Sequence, residues 1–173
     1  MLLFEDEATF YRQPTQAWLW ARLGRVQPRL RYSCRSNCRM RVVATLDAVT
    51  GAVHAEQTDR VSADRLARYV AGLSARYPAA ETIWLVWDNW PVHAHTKVLS
   101  ALARQQRVKV LWLPTYAPWL NPIEKAWRWT RQQVVHAHPW CDDFGQFRRQ
   151  VMGELGRLSQ GSAELLRYVG LST

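Results

Sequence analysis

Between Leu2 and Phe10 the chain alternates, with Leu2, Phe4, Asp6, Ala8 and Phe10 on one face of a strand and Leu3, Glu5, Glu7 and Thr9 on the other. Asp6 is the only acid on the apolar face. That parity separates it from Glu5 and Glu7, which have solvent or a neighbouring loop open to them. A basic, irregular stretch follows from Arg12 to Arg39, where Trp18 and Trp20 stand two apart as in one short strand and Gly24 and Pro28 act as punctuation. The segments "RMRVVATLD" and "AVHAEQ" then flank the turn signal "AVTG", which predicts a hairpin. The early strands form a meander.

Ser62 is placed to cap a helix in which Leu66, Tyr69, Val70, Leu73 and Tyr77 recur at helical spacing, and Pro78 stops it. The run Ile83 to Trp87 reads as a strand buried on both faces, ending at Asp88. A helix through Val98, Leu99 and Leu102 and a second apolar strand, "VKVLWLP", complete a strand, helix, strand unit with parallel pairing and a right-handed crossover. The loop "TYAPWLNP" opens a helix with Pro122 in its first turn, Glu124 beside it, and Ile123, Trp127, Thr130 and Val134 along one stripe. A last amphipathic helix runs from Asp143 through Phe144, Phe147, Val151, Leu155 and Leu158, and the tail "GLST" frays. The order predicts one α/β domain over residues 1–173, a mixed five-stranded sheet with helices on both faces.

Composition sharpens the picture. The 173 residues carry 23 Lys and Arg against 14 Asp and Glu, a net charge of +9 that favours a polyanion, and nucleic acid is the first candidate. No apolar stretch is long enough to span a bilayer, and "MLLFEDEATF" lacks the basic start and apolar run of a signal peptide. A cytosolic location follows as the expectation. Cys34, Cys38 and Cys141 are an odd set without a disulfide framework; structural thiols are preferred to a zinc pair completed by His54 or His93.

An acid in the first strand, an acid ending the fourth and an acid opening a later helix can meet, and sites in open α/β sheets collect at the carboxyl ends of strands. Asp6, Asp88 and Glu124 are therefore the candidate constellation. Three poorly solvated carboxylates repel one another unless cations or protons neutralise them. Hard oxygen ligands favour Mg2+ or Mn2+, which keep waters and accept phosphate oxygens. An acidic, metal-holding pocket on a basic protein points to phosphodiester chemistry.

Three blocks, "FEDEATF", "WLVWDNWPVH" and "LPTYAPWLNPIEKAW", resemble the signature blocks of the DDE transposases of the mariner superfamily, in particular the bacterial insertion-sequence branch of DDE superfamily endonucleases. The third is the most specific. The resemblance covers nearly the whole chain and implies a ribonuclease H-like fold with Asp6, Asp88 and Glu124 in the three metal-binding positions. Asp88 and Glu124 have 35 residues between them, close to the family's usual spacing. It also implies two Mg2+ ions, with Mn2+ as substitute, that support DNA strand cleavage at a transposon end and transfer of the freed 3′ hydroxyl to target DNA. Glu124 is a candidate to orient the water as well.

Asn89 and His93, in the second block, are read as supporting a metal ligand or contacting phosphate, with a hydrogen-bonded structural histidine as the alternative for His93. Asn121 and Pro122 shape the helix start. Arg128 and Arg131, four and seven residues after Glu124, either grip phosphates near the scissile bond or form a solvated face. Trp84, Trp87 and Trp112 are assigned to the core, and Trp90 and Trp119 to site loops.

Full-length relatives carry a helix-turn-helix DNA-binding region before the catalytic domain, whereas Met1 stands five positions before Asp6. The expectation is that this region is absent, with a separate polypeptide supplying it, and that the chain acts on DNA as a homodimer in a bacterial, nucleoid-associated setting. Two other functions stay open: an inactive nucleic-acid-binding relic, and a ribonuclease H-like repair nuclease without the support of the "LNPIE" block.

Overall fold

The computed structural model describes residues 1–18, 20–24 and 28–172. Among these, five strands form one sheet in the order β3-β2-β1-β4-β5. They are β1 (Leu2–Tyr11), β2 (Arg39–Asp47), β3 (Val53–Thr58), β4 (Ile83–Trp87) and β5 (Val108–Trp112). β1 pairs antiparallel with β2 and β2 with β3, giving the meander; β1 pairs parallel with β4 and β4 with β5. The expected mixed sheet is present.

Alternation in β1 divides the core in two. Phe4, Ala8 and Phe10 pack with β2, β3 and three helices, α4 (Ile123–Thr130), α5 (Phe144–Leu158) and α6 (Ala163–Val169). Leu3 faces the other way, into a cluster with α1 (Ala63–Ala71), α2 (Leu73–Arg76) and α3 (Thr96–Ala103). The Ser62 hydroxyl accepts from Arg65 N–H at 3.3 Å and starts α1 as expected, but Gly72 interrupts the helix before Pro78.

Some expectations fail for identifiable reasons. The helix bearing Glu124 ends in a π turn, Arg131–Val135, which turns both Val134 and Val135 inward. The helix α6 was not foreseen; seven residues are too few to display a period, although Ser162 caps it and Gly170 closes it in the left-handed conformation. Trp84 and Trp112, assigned to the core, are 39% and 45% exposed. β5 is an edge strand, and α4 to α6 lie over the β1–β3 side of the sheet, so a continuous apolar run here does not mean burial on both faces.

No strand includes Trp18 or Trp20, whose side chains are fully exposed, and the middle residue of that expected strand, Leu19, lies outside the described residues. The base of this excursion is tied to β1. Arg12 is buried and donates to the carbonyls of Arg35 and Ser36 at 3.3 and 2.8 Å, and Gln13 exchanges two hydrogen bonds with Ser33 at 2.7 and 3.0 Å. Ser33 Oγ in turn donates to Asp142 at 2.6 Å, and Arg31 pairs with the same carboxylate at 2.7 Å. Cys34, Cys38 and Cys141 are free, and no metal-ligating group among the described residues includes them or His54.

Candidate active site

The parallel pairing of β1 with β4 aligns Leu2 with Trp84 and Phe4 with Val86. That pairing ends at Phe4 and Val86, so Asp6 and Asp88 each stand two residues past the last paired positions of the β1–β4 ladder. Asp88 is the first residue beyond β4, where the chain leaves the sheet.

The start of α4 is fastened beside Asp6 by side chains. Asn121 is buried and its Nδ2 donates to the Glu5 carbonyl at 3.1 Å, while its own carbonyl accepts from Glu124 N–H at 3.1 Å. Trp127, one turn on, donates its indole N–H to Asp6 Oδ2 at 2.9 Å and meets the Phe10 ring edge-on at 6.1 Å. Trp127 lay on the apolar stripe in the sequence, but a stripe does not reveal that its indole nitrogen serves an acid.

Asp6 feels the Glu124 charge and Glu124 feels Asp88, although among the described residues the oxygens of the three acids do not gather into one compact ligand cluster. Burial and then the Glu124 charge push the Asp6 carboxyl up to about 7, against the Trp127 hydrogen bond. Burial also raises Glu124; Arg131 pulls it down, and Asp88 pushes it up. Asp88 goes the other way. Its carboxylate is held below the ordinary range chiefly by His93, whose Nδ1 lies 2.9 Å from Asp88 Oδ1, with Trp90 N–H donating at 3.0 Å. The set is short of positive charge at Asp6 and Glu124, which suits oxygen-liganded divalent cations.

His93 is buried, stacked on Trp87 with ring centroids 4.4 Å apart, and its Nε2 lies 3.5 Å from Glu5 and 3.4 Å from Glu7. Burial opposes its charge, but hydrogen bonds to Asp88 and Glu7 outweigh that and lift it to about 9. Glu5 therefore does not turn to solvent, and Glu7 is only partly exposed. Glu5 is fully covered and accepts from the Trp87 indole; burial first, then Glu7, Asp6 and Asp88, hold its carboxyl well above the usual range. The parity was right, but α1, α3 and the Asp88–His93 loop cover the second face as well.

Asn89 is exposed and donates to the Leu113 carbonyl, bracing the loop after β4 against the end of β5. Glu124, Arg128 and Arg131 line one cleft of about 560 Å³ with Trp119, Lys125 and His136. Arg128 is exposed. Arg131 is partly covered, its guanidinium 5.4 Å from the Phe10 ring centroid, and burial lowers its pKa against the pull of Glu124 and Asp6. Trp90 borders a second cleft of about 380 Å³ with Glu7 and Asp88.

Residues 1–146 match the family model described as DDE superfamily endonuclease. The chain belongs to this family. Over 150 residues this DDE endonuclease chain is 25% identical to an uncharacterized 39 kDa protein of the insertion element IS630 of Shigella sonnei, covering 87% of the chain and 43% of that relative. The chain thus spans less than half the length of that relative. Among solved structures, it resembles the Mos1 mariner paired-end complex with Mn, with a TM-score of 0.72, 15% identity, and coverage of 98% of this chain and 51% of the other. The catalytic domain of Mos1 mariner transposase matches with a TM-score of 0.63 and 15% identity, covering 98% and 75%. The DDE endonuclease chain therefore has the ribonuclease H-like fold expected from its sequence.

Proposed function

We propose that the chain is the catalytic domain of an insertion-sequence transposase, which cleaves a DNA strand at the element's end and transfers the freed 3′ hydroxyl to target DNA. The observation that carries this reading is the presence, in a DDE endonuclease, of Asp6 on β1, Asp88 just past β4 and Glu124 in the first turn of α4, with Glu124 in electrostatic reach of both aspartates. Mos1 transposase has been solved in paired-end complexes with Mn and with Mg, which supports the same choice of metals here.

Asp6, Asp88 and Glu124 would hold two Mg2+ ions, with Mn2+ as substitute. When bound, the ions supply Lewis acidity for in-line displacement at phosphorus. Trp127 holds Asp6 in place, Asn121 fixes the helix start that presents Glu124, and His93 orients Asp88. Glu124, exposed in the first turn of α4, would orient an attacking water. Arg128 and Arg131 line the cleft beside it, where guanidinium groups can grip DNA phosphates. Asn89 keeps the loop that carries Asp88 close to β5.

The partners in this proposal are transposon-end and target DNA. Two copies of the chain would act on a pair of ends, and end recognition would fall to a helix-turn-helix part beyond residues 1–173, on the same or a separate polypeptide. The test is cleavage of supercoiled plasmid and end-labelled DNA with Mg2+ or Mn2+, beside a chelator control, Asp88→Asn and an RNA–DNA hybrid substrate. Metal-dependent DNA nicking that Asp88→Asn abolishes is the expected result. Equal nicking by Asp88→Asn, or cutting confined to the hybrid, overturns the reading.

A further inference from the structure

Behind the Asp6 face of β1, three side chains not assigned as ligands of the proposed catalytic ions converge. Glu5, Glu7 and His93 each offer a ligand atom, and these atoms lie within 4.8 Å of one another. A second observation points to a missing ligand: Glu5 Oε1 is buried and has no hydrogen-bond partner, although carboxylate oxygens taken from water ordinarily find one. His93 Nε2 stands 3.5 Å from Glu5 Oε2 and 3.4 Å from Glu7 Oε1. Metal bonds near 2.1 Å set at the tetrahedral angle separate neighbouring ligand atoms by about 3.4 Å, whereas octahedral ligands sit nearer 3 Å apart.

We propose that Glu5, Glu7 and His93 form a binding site for a divalent transition ion of the zinc class, distinct from the ions assigned to Asp6, Asp88 and Glu124. The donor set is one imidazole nitrogen and two carboxylates, which favours zinc, cobalt or manganese over magnesium. An entering ion displaces the ligand protons to solvent, and the two negative carboxylates and neutral imidazole that remain match its dipositive charge. The outer partner is also present, since His93 directs its other nitrogen, Nδ1, at the Asp88 carboxylate 2.9 Å away, the carboxylate–histidine arrangement that fixes ring orientation at metal sites. Trp87 stacks on the ring and its indole N–H bonds Glu5, so both ligands are already held in place.

Access comes from one side. Glu7 is partly exposed and lines, with Asp88, Trp90, Arg41 and Arg60, the cleft of about 380 Å³, which gives an entry path and room for a water as fourth ligand. The ion would sit on the opposite face of β1 from Asp6, bonded toward Asp88 through the His93 ring. It would stiffen the loop presenting Asp88 without touching DNA.

The test uses the full chain stripped with chelator and titrated calorimetrically with Zn2+ and, for its visible spectrum, Co2+. Wild type and Asp6→Asn should each bind one Zn2+ equivalent at this site, and Glu7→Gln, which keeps the shape of the side chain, should weaken that equivalent at least about tenfold. In the wild type, added Zn2+ should shift the 15N resonance of His93 Nε2. Zinc binding that Glu7→Gln leaves within twofold of wild type, binding lost in Asp6→Asn, or an unmoved Nε2 resonance overturns the proposal. In the latter cases the three groups are an ion-paired network around an imidazolium. The outcome is separable from the strand-cleavage reading, because zinc can bind a chain that does not cut DNA, and the converse also holds.

Discussion

Asp6 is a carboxyl group in a place that disfavours its charge, and this has consequences for stability that do not depend on DNA. Titrating near 7 in the fold against 3.8 for an unperturbed aspartate, it binds the extra proton in the folded state between those values, so metal-free stability falls as pH rises through that window. His93, held near 9 against 6.5, contributes stability that is complete below 6.5 and is lost as pH rises through 9. Both slopes have one sign. In chelator, thermal melts should show a lower Tm at pH 8.5 than at pH 5.5, each group adding at most about 1.4 kcal/mol per pH unit. Asp6→Asn should flatten the part between pH 4 and 7, and millimolar Mg2+ should narrow the whole difference; a Tm that rises with pH would show that these acids are not desolvated. Trp127→Phe removes the indole donor and leaves Asp6 Oδ2 unpaired, which should cost about 1–3 kcal/mol in urea denaturation at neutral pH. The proposed triad stands out in the sequence because each of its acids breaks a pattern: one on an apolar strand face, one at a strand end, one at a helix start. Glu5, Glu7 and the role of Trp127 do not, since alternation tells which face a residue takes but not what covers that face.

At the level of elements, the most constrained join is between the β2–β3 turn and the start of α6. Gly51 has φ +70, and a Cβ there would lie 2.4 Å from the Ser162 carbonyl oxygen and 2.9 Å from Leu166. Ser162 caps α6 through Leu165 N–H at 3.0 Å and donates its own N–H to the Thr50 carbonyl at 3.0 Å. Gly51→Ala must therefore move the turn away from α6, and should destabilise by more than the 1–2 kcal/mol of the left-handed conformation alone. Ser162→Ala, which loses only the cap, should cost about 1 kcal/mol. Chemical denaturation of both variants checks the order, and equal losses would mean that the turn yields without disturbing the helix. The "AVTG" turn was visible in sequence, yet its docking on α6 was not, because α6 itself is too short to announce its period. The edge position of β5 is hidden in the sequence for a related reason: strand order is set by pairing, and an apolar run looks the same at an edge and in the middle.

Across the whole molecule, 23 basic residues against 14 acidic leave a net charge of +9 on a chain whose proposed site is acidic, so under that proposal basic side chains hold DNA and the acids cut it. Arg128→Ala should weaken binding of all duplex sequences alike and lower the slope of log affinity against log salt by about one, as measured by fluorescence anisotropy; an unchanged slope would return Arg128 to a solvated surface. Among the described residues no helix is long and apolar enough to cross a membrane, and the parallel strands and their crossover helix match what the sequence pattern implied. The way Arg12 and Gln13 knot the base of the long excursion has a further result. Trypsin should find Arg22, exposed between the exposed side chains of Trp20 and Leu23, before it finds the sheet. The cut would free a peptide that contains β1, yet β1 lies between β2 and β4 and is followed by Arg12 and Gln13, which hydrogen-bond residues on the other side of the nick. Two pieces that comigrate on a sizing column and part only in denaturant would follow, and the peptide bearing Asp6 could then be exchanged for a synthetic one, making one acid of the triad replaceable by chemistry rather than by mutation.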